Sequence, residues 1–328
     1  MIVGTHDARL LTGETVAATI VRAPDEAWAD RIEPMLRHKG ELWRWQNSEV
    51  LRRETGLEAR FFLLHRDGAP FANLMVVETN GVGMLGHVWT ESADRGRGAS
   101  SALMEMALAD FRARGSRVLF LGTDFDSPPW HYYRRRGFEA IEPGSGYMEL
   151  YLQRRDEFEA AWFGPGESRI EPLGWPDWPA SVPLFAGPWP GAVRMAGMQL
   201  VGRRSPEEPL LPSLRHRLSE EQDCVRVLRA AAGGAVLGMA SWRPDPIWRQ
   251  AAVLDVYCHP QWWHRADELL KALPLPSKLL VAYADADMAA KIEALEHAGF
   301  ARQCALSKWV AVDAAGRTGT DVAIYVRR

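Results

Sequence analysis

A mixed α/β fold in two domains is what this chain predicts, from three observations. At 328 residues it is about twice the usual size of one domain. Alternating apolar runs and helical periods interleave along both halves, the pattern of sheets flanked by helices. Between Trp162 and Trp189 lies a stretch dense in Gly and Pro, including Gly164-Pro165-Gly166, which reads as irregular boundary structure. The expected division is 1–164 and 165–328, each part holding a central, mostly antiparallel twisted sheet.

The elements follow in order. Glu14 to Arg22 alternates as a strand, and Asp25-Glu26 opens an amphipathic helix expected to reach Lys39 and end at Gly40. A second helix is expected from Trp43 to Glu54. Ala59–His65 and Phe71–Glu78 read as a hairpin turning at Asp67-Gly68, and Asn80-Gly81 predicts a tight primed turn into a third strand, Gly83–Thr90. A helix over Ser100–Arg114 ends at Gly115. A strand Arg117–Leu121, a helix Ser127–Arg136 and strands near Phe138–Ile141 and Tyr147–Leu152 complete the first half. The second half predicts strands at Cys224–Ala230, Ala235–Trp242 and Val253–Tyr257, a helix Ala266–Leu273, a strand Lys278–Ala284 and a helix Asp287–Ala298. Gly137-Phe138 and Gly299-Phe300 end a helix in each half, which suggests an internal duplication.

Composition narrows the class. Hydrophobic residues at 47% and charged ones at 25% describe an ordinary globular chain. With 39 Lys+Arg against 42 Asp+Glu and no long run of one sign, nucleic-acid and anionic-membrane binding lack support, and a small-molecule partner is expected. Three cysteines, Cys224, Cys258 and Cys304, form no zinc spacing and read as reduced buried thiols. The first residues carry His6, Asp7, Arg9 and Glu14 with no long apolar run, so a cytoplasmic location is expected. Most of the 14 Trp are expected to be packing residues, and Trp43 and Trp45 are candidates for a pocket. His259, His264 and His297 read as surface histidines, and no metal site is expected.

Chemistry concentrates in one stretch. His87-Val88-Trp89-Thr90-Glu91 ends a strand, and Arg95-Gly96-Arg97-Gly98-Ala99-Ser100 turns into a helix. Two glycines let successive N–H groups converge on an anion at the positive end of a helix dipole, and two arginines add charge. No Lys-Ser/Thr follows at Walker spacing. Gly81-Val82-Gly83-Met84-Leu85-Gly86 matches G-x-G-x-x-G but enters a strand instead of opening a helix, so the dinucleotide reading fails.

Arg95 to Ser100 together with Tyr133-Arg134-Arg135-Arg136-Gly137-Phe138 resembles the GNAT N-acetyltransferase superfamily over roughly residues 15–152. Ser100 stands where that family has Gly or Ala. The resemblance implies acetyl-CoA as co-substrate, its pyrophosphate on the backbone of Arg95, Gly96, Arg97, Gly98, Ala99 and Ser100, and its pantetheine arm along Val88, Trp89 and Thr90. It also implies an altered cofactor contact at Asp126, where an Asn is common.

Acyl transfer to an amine needs a neutral nucleophile, an oxyanion donor and a proton for the leaving thiolate. A backbone N–H on the Val88–Thr90 edge serves as the donor, and the resemblance implies Tyr133 as the acid. His87, Glu91 and Asp124 are the candidate bases. The direct reading is an acetyl transferase acting on the amine of a small molecule. A non-catalytic acyl-CoA sensing module and an enzyme of another acyl group remain the alternatives, as do monomer and homodimer. In the second half Trp263 takes the place of Arg95, Ala266 of Gly98 and Leu295 of Tyr133, so that half is expected to be a degenerate copy.

Overall fold

The computed structural model describes residues 1–219, 224–311, 316 and 318–328. Its contacts divide the chain into two units, Met1–Leu121 with Leu150–Gln153, and Gly122–Glu149 with Arg154–Arg328. These contact units are drawn differently from the expected parts 1–164 and 165–328. Within the second unit Glu149 pairs with Arg155 at 2.5 Å, and Glu142, Ser145 and Tyr147 line a cavity with Val201, Arg203 and Arg204.

In the first unit come β1 (Ile2–Arg9), β2 (Thr15–Arg22), α1 (Glu26–Ile32), α2 (Glu41–Arg52), β3 (Glu58–Arg66), β4 (Ala69–Thr79), β5 (Val82–Thr90), α3 (Ala99–Ala113) and β6 (Val118–Gly122). The strands lie side by side in sequence order, antiparallel except for the parallel pair β5–β6. Asn80 and Gly81 have φ of 49° and 84°, the two left-handed residues that a primed turn requires, as expected from their identity. Leu103, Met104, Ala107, Leu108 and Phe111 recur at helical spacing and form the buried stripe of α3. β1 was not legible. The helix expected to reach Lys39 stops at Ile32 and passes into a 3₁₀ turn, Glu33–Leu36, because Pro34 lacks an N–H and crowds the preceding turn. Gly40 then precedes α2 as its N-cap and does not close α1.

The second unit holds α4 (Pro128–Arg134), β7 (Glu139–Ala140) and the start of β8 (Tyr147–Tyr151), whose last residues count with the first unit. There follow α5 (Arg155–Trp162), β9 (Ser168–Pro172), α6 (Asp177–Ala180), α7 (Val182–Ala186), β10 (Val193–Met195), β11 (Leu200–Val201), α8 (Glu207–Leu218), β12 (Val225–Ala230), β13 (Val236–Pro244), β14 (Ala251–Cys258), α9 (Ala266–Ala272), β15 (Leu279–Asp285), α10 (Ala289–His297), β16 (Ala301–Ala311) and β17 (Gly319–Arg327). Its large sheet runs β16-β17-β15-β14-β13-β12-β9, and β14–β15 is its parallel pair. The segment expected to be irregular is instead core: Trp175, Trp178, Leu184 and Phe185 are buried there. Short helices satisfy its backbone while the apolar side chains between the prolines point inward. Cys224 and Cys258 are buried as expected, but Cys304 is exposed on β16. Among the described residues no helix is long and apolar enough to cross a membrane.

Candidate functional site

Parallel pairing of β5 with β6 covers only Val82–Met84 against Val118–Phe120, and the rest of β5 runs on to Thr90 without that partner. On its other side β5 pairs with β4 through Thr79–Met75 and again at Asn73↔Trp89 and Ala72↔Thr90. Between these two stretches His87 and Val88 both stand opposite Leu74, a bulge, and His87 takes a φ of 53°. A one-residue register slip along a whole strand would turn its face; here the slip is confined to one extra residue, so β5 resumes pairing beyond it.

Next comes the turn. Gly98 is the N-cap of α3 with φ 89°, and the N–H groups of Ser101 and Ala102 both reach its carbonyl. The N-terminal end of a helix carries a partial positive charge, so the entry to α3 is a candidate anion site. Asp94, buried just before the turn, accepts two bonds from Arg66 at 2.9 and 3.2 Å, which hold its carboxyl below the usual range; Arg66 is gripped in turn by Glu14 at 2.7 and 3.0 Å. The N–H of Leu11 donates to Arg97 O at 3.0 Å, and the Leu11 side chain lies where a Cβ on Gly98 would stand, 2.9 Å away. A network from β3 and the β1–β2 loop thus fixes the turn.

The two arginines are already engaged. Arg95 donates through Nε to Thr90 O at 3.1 Å and lies 4.7 Å above the Trp89 ring, and Arg97 stands 3.6 Å from Asp94. Both keep exposed surface for an anionic ligand, Arg97 with 43% of its side chain. Ala99 is buried, and the Ser100 hydroxyl lies 3.3 Å from that of Thr90, tying the helix entry to the end of β5.

The candidate bases separate on burial. His87 is buried, its Nε2 2.8 Å from Gln46 Oε1 and its ring 5.7 Å edge-on to Trp43. Burial pushes it down to about 3, so it does not suit the role of a base that must hold a proton near neutral pH. Glu91 ends β5 half-buried, with Arg37 3.7 Å from its carboxylate. Asp124 is exposed, and its backbone carbonyl accepts from the Ser127 hydroxyl at 2.6 Å.

Asp124, Asp126 and Tyr133 belong to the second unit. Asp126, just before α4, has φ 57° and its carboxylate lies 2.9 Å from His131 of that helix. Tyr133 sits on α4 beside Tyr132 and Phe138, buried to 8% exposure, and burial pushes its phenol up to about 12.

Two residues that sequence reasoning missed belong to the bulge. Asn73 donates through Nδ2 to His87 O at 3.0 Å, and Gln46 faces the His87 ring. Asn73 had a signal, a lone amide inside the apolar run Phe71–Val77.

The second unit treats its own parallel pair differently. β14 and β15 pair over Ala251–Val253 and Leu279–Val281, and β10 then packs against both strands. Asp285 accepts from the N–H groups of Ala192 and Val193 at 3.0 and 2.9 Å, and Asp255 from Ala196 at 2.5 Å. Lys291, fully buried, lies 2.5 Å from Asp255 and donates to Val193 O at 2.8 Å, while Tyr257 donates to Pro190 O at 2.9 Å. The opening beside β14 is filled by the chain's own backbone. Where the first unit has its glycine turn, Pro260–Arg265 form a 3₁₀ helix that runs straight into α9.

The first unit thus brings together a mixed sheet with one parallel pair, an open strand end and a glycine turn capping the next helix. Residues 23–138 match the Acetyltransferase (GNAT) family model. No curated protein sequence matches the chain. Solved structures it is similar to include an acetyltransferase of the GNAT family from Staphylococcus aureus Mu50, at 10% identity and TM-score 0.36 over 42% of this chain and 99% of that one. Others are the GNAT domain of S. lividans PAT, at 15% identity and TM-score 0.36 over 45% and 97%, and a GNAT family N-acetyltransferase (YhbS) from Escherichia coli in complex with CoA, at 17% and 0.32 over 42% and 82%.

Proposed function

We propose that the protein transfers an acetyl group from acetyl-CoA directly to the amine of a small molecule. The observation that carries this reading is the braced turn Arg95–Ser100 at the end of a β5 that has left β6. The pyrophosphate takes the N–H groups of the turn, with Arg95 and Arg97 at its rim, and the pantetheine amides take the edge Val88–Thr90. Attack by the neutral amine forms the C–N bond and breaks the C–S bond. An N–H at the bulge holds the oxyanion, and Glu91, through water, takes the ammonium proton.

The family resemblance makes Tyr133 the candidate proton source for sulfur. At a pKa of about 12 it stays protonated throughout the working range, and full transfer to a thiolate near about 8.5 is uphill by about 5 kcal/mol. It therefore acts first as a hydrogen-bond donor to the leaving sulfur.

The second set of strands, from β9 onward, is a degenerate GNAT-like repeat beginning near residue 165. Its strand order and parallel pair are like those of the sheet that holds β1 to β8, and its filled opening and helical turn argue against a coenzyme A site there. The test is thiol release from acetyl-CoA against a panel of small amines, with propionyl- and longer acyl-CoA in parallel. Turnover with acetyl-CoA and an amine, without any protein partner, is expected. Binding without turnover would favour a sensing module, and preference for a longer chain would replace the acetyl group.

A further inference from the structure

We propose that Asn73 is a positioning residue that aims the Val88 N–H at the acyl carbonyl by gripping the carbonyl of His87. This rests on the acyl-CoA reading above and names how this chain prepares its oxyanion donor. The bulge is specific: one residue is inserted opposite Leu74, and regular pairing resumes on both sides of it. Its first residue is left-handed without being glycine, a conformation that costs roughly 1–2 kcal/mol and persists only where neighbours enforce it. The neighbours that do so are on three elements. Asn73 of β4 donates to His87 O at 3.0 Å, Gln46 of α2 meets the His87 ring at 2.8 Å, and Trp43 of α2 packs edge-on against it.

The geometric consequence follows from the peptide bond. His87 C=O and Val88 N–H share one planar trans peptide and point in opposite directions. With the carbonyl drawn to the Asn73 side chain, the N–H is held pointing away from β4. Asn73 itself is fully buried and pairs in register with Trp89, so it cannot follow the peptide if that turns. Gln46 and the His87 ring fix the remaining freedom of the bulge.

The test compares binding of acetyl-CoA and of free CoA by calorimetry, which needs no acceptor. A hydrogen bond to the thioester oxygen makes wild type prefer acetyl-CoA by roughly fivefold. Asn73→Leu is expected to abolish that preference while leaving the affinity for free CoA within about twofold, and Gln46→Met to reduce it in the same sense should Asn73→Leu not fold. With an amine acceptor, the same variants lower kcat with KM for acetyl-CoA little changed. A preference that survives in folded variants, or wild type binding the two ligands equally, overturns the role of Asn73 and leaves the acyl-CoA site standing. Failure of wild type to bind either ligand overturns the acyl-CoA reading and this inference with it.

Discussion

His87 makes the stability of the first unit depend on pH in a way that can be worked out in advance. Buried against Gln46, its imidazole is pushed from about 6.5 down to about 3. Between those values the unfolded chain takes up a proton at residue 87 that the folded one refuses, so stability is full above pH 6.5 and falls as pH falls toward 3. At pH 5 the loss is about 2 kcal/mol, from 1.5 pH units at 1.36 kcal/mol each. The perturbation is His87→Asn, since Asn tolerates the left-handed backbone. The variant loses the ring's packing at every pH but lacks the slope. Hydrogen exchange of β4 and β5 amides in increasing urea, at pH 7 and pH 5, reads the stability of this sheet apart from the second unit. Wild type should lose about 2 kcal/mol more than His87→Asn between the two pH values. Equal losses would refute the burial argument and return His87 to the list of titrating bases.

Three further outcomes are expected. Gly98→Val places a β-branched residue at φ 89° with its Cβ 2.9 Å from Leu11, a strain of roughly 1–2 kcal/mol before the Leu11 clash, and should weaken acetyl-CoA binding at least tenfold by calorimetry. Tyr133→Phe keeps the packing against Phe138 and should lower turnover by roughly 10²-fold or more with acetyl-CoA affinity unchanged; unaltered turnover removes Tyr133 from the mechanism. Lys291→Met leaves Asp255 buried without its cation and should destabilise the second unit by roughly 3–5 kcal/mol in denaturant, while acetyl-CoA still binds the folded variant.

The turn and most strands were legible because they are local. Asn80-Gly81, the stripe on α3 and the glycines before it each encode their conformation within a few residues. The bulge was not legible: nothing in Gly86-His87-Val88 asks for a left-handed histidine, and the residues that enforce it, Gln46 and Asn73, lie far away in sequence. The same holds for the segment from 165 to 190, where Gly and Pro mark loops locally but Trp178 and Phe185 are drawn into a core that only the distant strands complete. The plug at β10 follows the same logic, since Asp255, Asp285 and Lys291 are far apart in sequence and only the sheet brings them to one opening. Glu91, Arg95 and Gly98 are candidates by their local motif, and the structure sets Glu91 just after β5 and the other two in the turn that enters α3.

The most direct measurement is the number of acetyl-CoA molecules bound per chain, by calorimetric titration of the full-length protein and of Gly98→Val. One site in the wild type, lost or weakened at least tenfold in the variant, is the expected result. Two sites per chain, or one that survives Gly98→Val at full affinity, would contradict a single cofactor turn at the entry to α3.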